Sequence, residues 1–252
     1  MEYKIGYIGN CDFSDFIKIN QEISLKELNK INKFEDFDYI FLKENDILYL
    51  KNCNSLLPAI CCDFEDKTLS YRLNTSGKNQ ELLRACGVNK NQNMTIVDAT
   101  AGMGKDSFIL ASFGVKMIMI EQNKLIYLLL KDGIERGQNS ENLKIQEICK
   151  NMILYNENSI DFLQKLNTDI DCVYLDPMFT KTNGKSLVKK EMQLFHELAF
   201  YGDNEKLFNI AFEKVKNRVV VKRMINAELL IDKKPNYQIK GKTIRYDVYL
   251  KI

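Results

Sequence analysis

The stretch Thr95-Ile96-Val97-Asp98-Ala99-Thr100-Ala101-Gly102-Met103-Gly104-Lys105-Asp106-Ser107 limits the fold of this chain more than any other. An apolar run ends at an acid, two glycines follow, and a helical pattern opens. A strand that turns tightly into a helix around a nucleotide-like ligand has this form. Gly102 and Gly104 can take positive φ and, lacking Cβ, let a ligand approach the backbone. A helix starting at Lys105 aims free N–H groups and its positive dipole end at the loop. Such a site favours anions, but the residues do not spell a phosphate loop. Ala99 stands where the first glycine of that loop belongs, and Asp106 where Ser or Thr would bind magnesium. A dinucleotide fingerprint fails too, because Ser107 holds the place of its third glycine.

From Met94 onward the rhythm is strand, helix, strand, helix. The pattern predicts strands over 94–98, 116–120, 152–155 and 171–175, with helices near 105–113, 123–136 and 159–166. Further helices are expected near 186–199 and 204–216, then a strand Arg218–Lys222. Tyr237–Lys240 and Ile244–Lys251 should close the chain as an antiparallel pair around Gly241. The expected fold is α/β: a Rossmann-like, mainly parallel sheet with helices on both faces and a C-terminal antiparallel pair. Residues 91–252 would form this domain, and residues 1–90 a small N-terminal α/β extension. In the extension we expect strands at Tyr3–Ile8, Tyr39–Leu42 and Ile47–Leu50. Ser24–Ile31 reads as a helix with a Ser24/Glu27 capping box. Ala59–Phe64 and Thr68–Leu73 read as a hairpin, and Asn79–Gly87 as a helix stopped by Gly87.

In such folds the ligand crevice lies beyond the carboxyl ends of the strands. Asp98, Glu121, Ser159 and Asp176 all fall at such ends. An acid at the tip of the second strand, Glu121, suits both hydroxyls of a ribose. Lys105 and Asp106 can meet an amino-acid moiety, and Asn158-Ser159 the surroundings of an adenine. Ser159 is equally a helix N-cap and Asp106 a first-turn acid. Asp176-Pro177-Met178-Phe179 places an acid, a proline and an aromatic at the end of a later strand. The amine of a nucleobase is a poor nucleophile because its lone pair feeds the ring. An acceptor oxygen on Asp176 can orient that amine and stabilise the charge it gains. Pro177 fixes the backbone, and Phe179 offers a face for stacking. Together these sites point to S-adenosylmethionine and methyl transfer.

The motifs Asp98–Asp106, Tyr174–Phe179, Leu187–Met192 and Val219–Arg223 resemble those of the RsmJ-type methyltransferases, over roughly residues 58–252. The resemblance implies a class I methyltransferase fold and rRNA methylation at the exocyclic amine of one guanosine in 16S ribosomal RNA. It implies cofactor contacts at Lys105-Asp106, Glu121-Gln122, Asn158-Ser159 and Asp176. Lys105 and Gln122 stand where the family pattern leads us to expect arginines, and Asn158 where we expect serine. Residues 1–57 lie outside the resemblance. Two other readings keep the cofactor fold: methylation of DNA or another amine, and a non-catalytic RNA-binding assembly factor. The intact Asp176-Pro177 and Gly102/Gly104 disfavour the last.

The charge pattern bears on the partner. Residues 1–176 carry a net −6 and residues 177–252 a net +8. A basic C-terminal third suits a nucleic acid backbone, here 16S ribosomal RNA or the small ribosomal subunit. We expect RNA contacts at Lys181, Lys185, Lys189, Lys190, Lys222 and Arg223. No metal site is expected: the seven cysteines form no Cys-x-x-Cys, and His196 is the sole histidine. With no apolar run long enough to span a membrane and no signal-like opening at Met1-Glu2-Tyr3-Lys4, the expected location is cytoplasmic.

Overall fold

The computed structural model describes residues 3–8, 25–27, 36–75, 80–88, 93–167, 169–177 and 202–251. Two sheets organise them. The first holds β1 (Ile5–Ile8), β2 (Leu25–Glu27), β3 (Tyr39–Glu44) and β4 (Ile47–Asn52) in the order β2-β1-β3-β4. The second holds β5 (Thr95–Asp98), β6 (Lys116–Ile120), β7 (Met152–Tyr155), β8 (Ile170–Leu175), β9 (Val215–Met224), β10 (Tyr237–Lys240) and β11 (Ile244–Leu250). Its order is β10-β11-β9-β8-β5-β6-β7, and only β11 runs against the rest. The chain leaves β5 toward β6 and β7, then returns to β8 on the other side of β5. Strand order therefore reverses between β5 and β8, which opens a crevice at their carboxyl ends.

Helices cover both faces of this sheet. On one lie α2 (Glu81–Cys86), α3 (Lys105–Ala111), α4 (Lys124–Gln138) and α5 (Leu143–Lys150); on the other lie α6 (Ser159–Lys165) and α7 (Asn204–Lys214). The strands obey the two-residue period. Ile96, Met117, Met119, Cys172, Tyr174 and Val220 point into the first core, while Val97, Ile118, Ile120, Val173, Val219 and Val221 point into the second. With both faces covered, the strands read as unbroken apolar runs.

The first core continues into the N-terminal sheet, where it takes in Tyr39, Phe41, Leu48 and Leu50. Phe64 stacks on Phe108 at a ring distance of 4.7 Å. Asp132 on α4 accepts from the Leu48 N–H at 3.2 Å and from Arg136 Nε at 2.8 Å, and Arg136 donates to the Cys62 carbonyl. Helix α4 lies close against that segment. A Cβ built on Gly133 would come within 2.6 Å of the Cys62 sulfur.

Three expectations need correction. Leu25–Glu27 is a strand, not the start of a capped helix; it pairs in parallel with Ile5, Gly6 and Tyr7. Pairing with β1 overrides the local capping signal, and residues 28–31 lie outside the described residues. The hairpin at 59–73 does not form. Ile60 makes a single bridge to Leu50, and Lys67–Thr75 is a helix, α1. Leu69 and Leu73, four residues apart, both pack on the core, which is a helical spacing. Finally, α5 went unforeseen, although Asn142 caps it and Ile145, Ile148 and Cys149 give it a buried stripe. The helix over 79–87 does form as Glu81–Cys86, with Gly87 at φ 79°. The expected helix near 186–199 lies outside the described residues.

Gly133→Ala should destabilise the protein by about 1–3 kcal/mol through overpacking against Cys62. Urea denaturation followed by circular dichroism reads this directly; an unchanged midpoint would contradict the close approach.

Candidate active site

The crevice is built around the turn from β5 to α3. Asp98, at the end of β5, is buried. Its Oδ1 accepts the Thr100 N–H at 3.1 Å, and its Oδ2 accepts the Ser107 hydroxyl at 2.6 Å. One carboxylate thus ties both ends of the glycine loop together. Gly102 and Gly104 sit at φ 54° and 65°, in the left-handed region that the sequence pattern requires. A Cβ on Gly104 would strike Leu130 at 2.8 Å, so this glycine also serves packing. At Gly102 a Cβ would meet open space, the nearest atom being the Thr100 carbonyl oxygen at 4.0 Å. That opening is the kind of cradle a ligand needs against a backbone.

The neighbouring strands lock onto this loop. The Thr100 hydroxyl accepts the Asp176 N–H at 2.7 Å, which fastens the turn to the end of β8. The Ser159 hydroxyl donates to the Ala99 carbonyl at 2.6 Å, and the Ala101 N–H to the Ile120 carbonyl at 3.2 Å. Ser159 is therefore not the N-cap of α6. Asn158 is, with its side chain accepting from the Ile160 and Asp161 N–H groups. The Asn158 amide also donates to Gln122 Oε1 at 3.1 Å, which brings these two expected cofactor residues together.

Glu121 is buried at the tip of β6. Its Oε2 accepts the Gly102 N–H at 2.9 Å and its Oε1 the Asn123 N–H at 2.7 Å. Both oxygens thus already hold backbone, each with a lone pair left over. Burial pushes its carboxyl up to about 7, against the pull of those two N–H groups. Asp98 is likewise pushed up to about 7 by burial, which outweighs the Ser107 and Thr100 hydrogen bonds.

A second cluster lies beside the first. Asp106 Oδ2 accepts from the Tyr174 hydroxyl at 2.7 Å and from Lys222 Nζ at 2.7 Å. The same Nζ donates to Asp176 Oδ2 at 2.8 Å. Burial would lower Lys222, but Asp106 and Asp176 more than compensate and raise it. Asp176 is raised by burial, with Lys222 opposing. Its side chain keeps 35% of its surface exposed, and no described residue donates to its Oδ1. Pro177, next to it, is buried.

Lys222 and Arg223 were expected on RNA. Lys222 instead bridges two carboxylates inside the crevice, and Arg223 is buried with its Nε on the Glu228 carbonyl at 2.9 Å. Arg245 braces the same loop through the carbonyls of Met224 and Ile225. Two exposed lysines on this rim were overlooked: Lys240 and Lys242, flanking the turn between β10 and β11. That turn lies level with Met224 because Ile244 pairs with it. Lys105 and Gln122 are partly exposed at the crevice. Phe179, Lys181, Lys185, Lys189 and Lys190 lie outside the described residues. Among the described residues there is no cluster of metal-ligating side chains and no helix long and apolar enough to cross a membrane.

Comparison with known proteins agrees with this geometry. The family model for SAM-dependent methyltransferases matches residues 24–251, so the likeness takes in residues 24–57, which the sequence resemblance leaves outside. Ribosomal RNA small subunit methyltransferase J of Francisella tularensis subsp. novicida is 37% identical over 230 residues, covering 88% of this chain and 95% of that protein. The protein of the same name from Francisella philomiragia is 35% identical over 223 residues, covering 85% and 92%. A crystal structure of a SAM-dependent methyltransferase from Neisseria gonorrhoeae superposes with a TM-score of 0.73 at 28% identity, covering 98% of this chain and 95% of that one. The chain belongs to the S-adenosylmethionine-dependent methyltransferases of the ribosomal RNA small subunit methyltransferase J family.

Proposed function

We propose that this protein methylates small-subunit ribosomal RNA, at the exocyclic amine of a guanosine in the 16S molecule. The observation that carries the reading is Asp176. It sits at the same end of the sheet as the glycine turn, with one carboxylate oxygen held by Lys222 and the other bonded by no described residue. The names of its relatives support RNA as the acceptor. Such an enzyme works where ribosomal RNA is made, in the cytoplasm.

S-adenosylmethionine supplies an electrophilic methyl group on a sulfonium. The residues here fit it: a cradle at Gly102, a carboxylate at Glu121 for the ribose, and acids that favour its cationic groups. Gln122 and Asn158 would border the adenine, and Lys105 and Asp106 the amino-acid end. Asp176 accepts a hydrogen bond from the guanine amine, aims its lone pair, and offsets the positive charge that grows on nitrogen. The buried Pro177 fixes the backbone that presents Asp176, and Phe179 would stack on the base. RNA phosphates would meet Lys181, Lys185, Lys189 and Lys190, joined on the rim by Lys240 and Lys242.

The central experiment is a methyl-transfer assay on small-subunit RNA, read by mass spectrometry of the nucleosides. Methylguanosine labelled on the exocyclic amine is the expected product; transfer to another base or none would reject the reading. In that assay Asp176→Ala should lower turnover on the order of 100–1,000-fold at saturating cofactor, as for other preorganised polar groups.

Cofactor affinity should depend on pH. An ionised Glu121 accepts ribose hydroxyls more strongly than the protonated acid, which keeps fewer acceptor sites, and its carboxyl is raised to about 7 in the free protein. The Kd should therefore fall as pH rises through that value, by up to about tenfold between pH 6 and 8 for one such group. Glu121→Gln should weaken binding by about 1.5–3 kcal/mol and flatten the profile. Calorimetry across that range checks both effects.

Replacing Lys189 and Lys190 with Ala should weaken RNA binding and reduce its salt dependence, with little change in cofactor affinity. Equal salt slopes for parent and variant would remove these two lysines from the RNA site.

A further inference from the structure

We propose that Lys222 is a positioning residue for Asp176, working through the carboxylate it shares with Asp106. This rests on the methyl-transfer reading of Asp176 and adds a part to it. Tyr174 pairs with Val220 and Leu175 with Val221, so the next residues, Asp176 and Lys222, stand side by side at the ends of β8 and β9. The Lys222 ammonium reaches both Asp176 Oδ2, at 2.8 Å, and Asp106 Oδ2, at 2.7 Å. Asp106 belongs to the first turn of α3, directly after the glycine loop. One cation therefore joins the acid that faces the acceptor to the element that carries the cofactor loop.

Among the described residues, the charged and titratable groups around Asp176 are Asp98 from β5, Asp106 from α3, Tyr174 from its own strand, and Lys222 and Arg223 from β9. Arg223 is turned to the Glu228 carbonyl, and Asp98 and Asp106 repel a charge on Asp176. Among the described residues, Lys222 is thus the cation that directly contacts Asp176. Remove it, and two carboxylates share one pocket, a situation in which one of them takes up a proton. A protonated Asp176 no longer offers a charged acceptor to the amine. Lys222 also fixes which oxygen is engaged, Oδ2, while no described residue donates to Oδ1, which in this proposal is the oxygen that meets the amine.

The test uses Lys222→Met, Lys222→Arg, Asp106→Asn and the Lys222→Met/Asp106→Asn double variant in the full chain. Two readouts are needed: turnover against pH on small-subunit RNA, and carboxyl carbon NMR titration of Asp176 in the cofactor-free protein, assigned with Asp176→Asn. Lys222→Met should move the Asp176 titration up by about one pH unit or more, the scale set by losing an adjacent opposite charge. It should cut turnover at neutral pH on the order of tenfold to 100-fold, recovering as pH rises, with an unchanged KM for RNA. Lys222→Arg should keep most of the activity. Asp106→Asn should move the Asp176 titration down, and in the double variant it should restore part of the lost turnover. An Asp176 titration unmoved by Lys222→Met overturns the proposal. So does a raised RNA KM with a flatter salt dependence and an unshifted pH profile, which would make Lys222 a phosphate contact. If Lys222→Met does not fold, the Asp106→Asn titration decides alone, and no downward shift there overturns it. Should RNA methylation itself fail, wild type is inactive too, while the NMR titration still reports on Lys222.

Discussion

The carboxylate of Asp98 holds the working end of this protein together. It is buried at the end of β5, and its two oxygens close the turn between Thr100 and Ser107. Thr100 then holds the backbone of Asp176, so the glycine loop and the end of β8 share one anchor. Glu121 repeats the device from the next strand by gripping the Gly102 N–H. A buried carboxylate is costly unless it is well bonded, and both acids are raised to about 7 as a result. The glycine loop is rigid because the acids around it act as backbone clamps.

Much of this could be read in the residues themselves. The second sheet was legible because its strands are buried on both sides, so apolar runs such as Lys116–Ile120 and Ile170–Leu175 stand out against amphipathic helices. The strand-end acids followed from the same runs. The N-terminal segment was harder. Leu25–Glu27 is a strand only because β1 lies beside it, and the spacing of Leu69 and Leu73 is helical but sits between turn-like residues. Short elements of this kind take their structure from partners distant in sequence.

Lys222 shows the limit most clearly. By composition it is one lysine in a basic third of the chain, and a surface contact with RNA is the natural reading. Its partner depends on strand order: β9 lies beside β8, in a register that sets Val220 against Tyr174. No local pattern carries that register. Ser159 is a similar case, since its hydroxyl serves the Ala99 carbonyl across the crevice, while the neighbouring Asn158 takes the capping role. Residue types marked which side chains gather at the strand ends, but topology assigned the pairs.

The grip of Asp132 on Leu48 spans 84 residues of chain. During synthesis the sheet of residues 5–52 leaves the ribosome well before α4, the helix that packs against β4. Until Asp132 and Gly133 emerge, that sheet has only the segment around Ile60, Cys62 and Phe64 to pack on, and the growing chain carries a partly exposed apolar face. Any slowing of translation between residues 52 and 132 would lengthen that exposure. The nascent polypeptide is then most open to capture by chaperones, or to aggregation, well before its catalytic half exists.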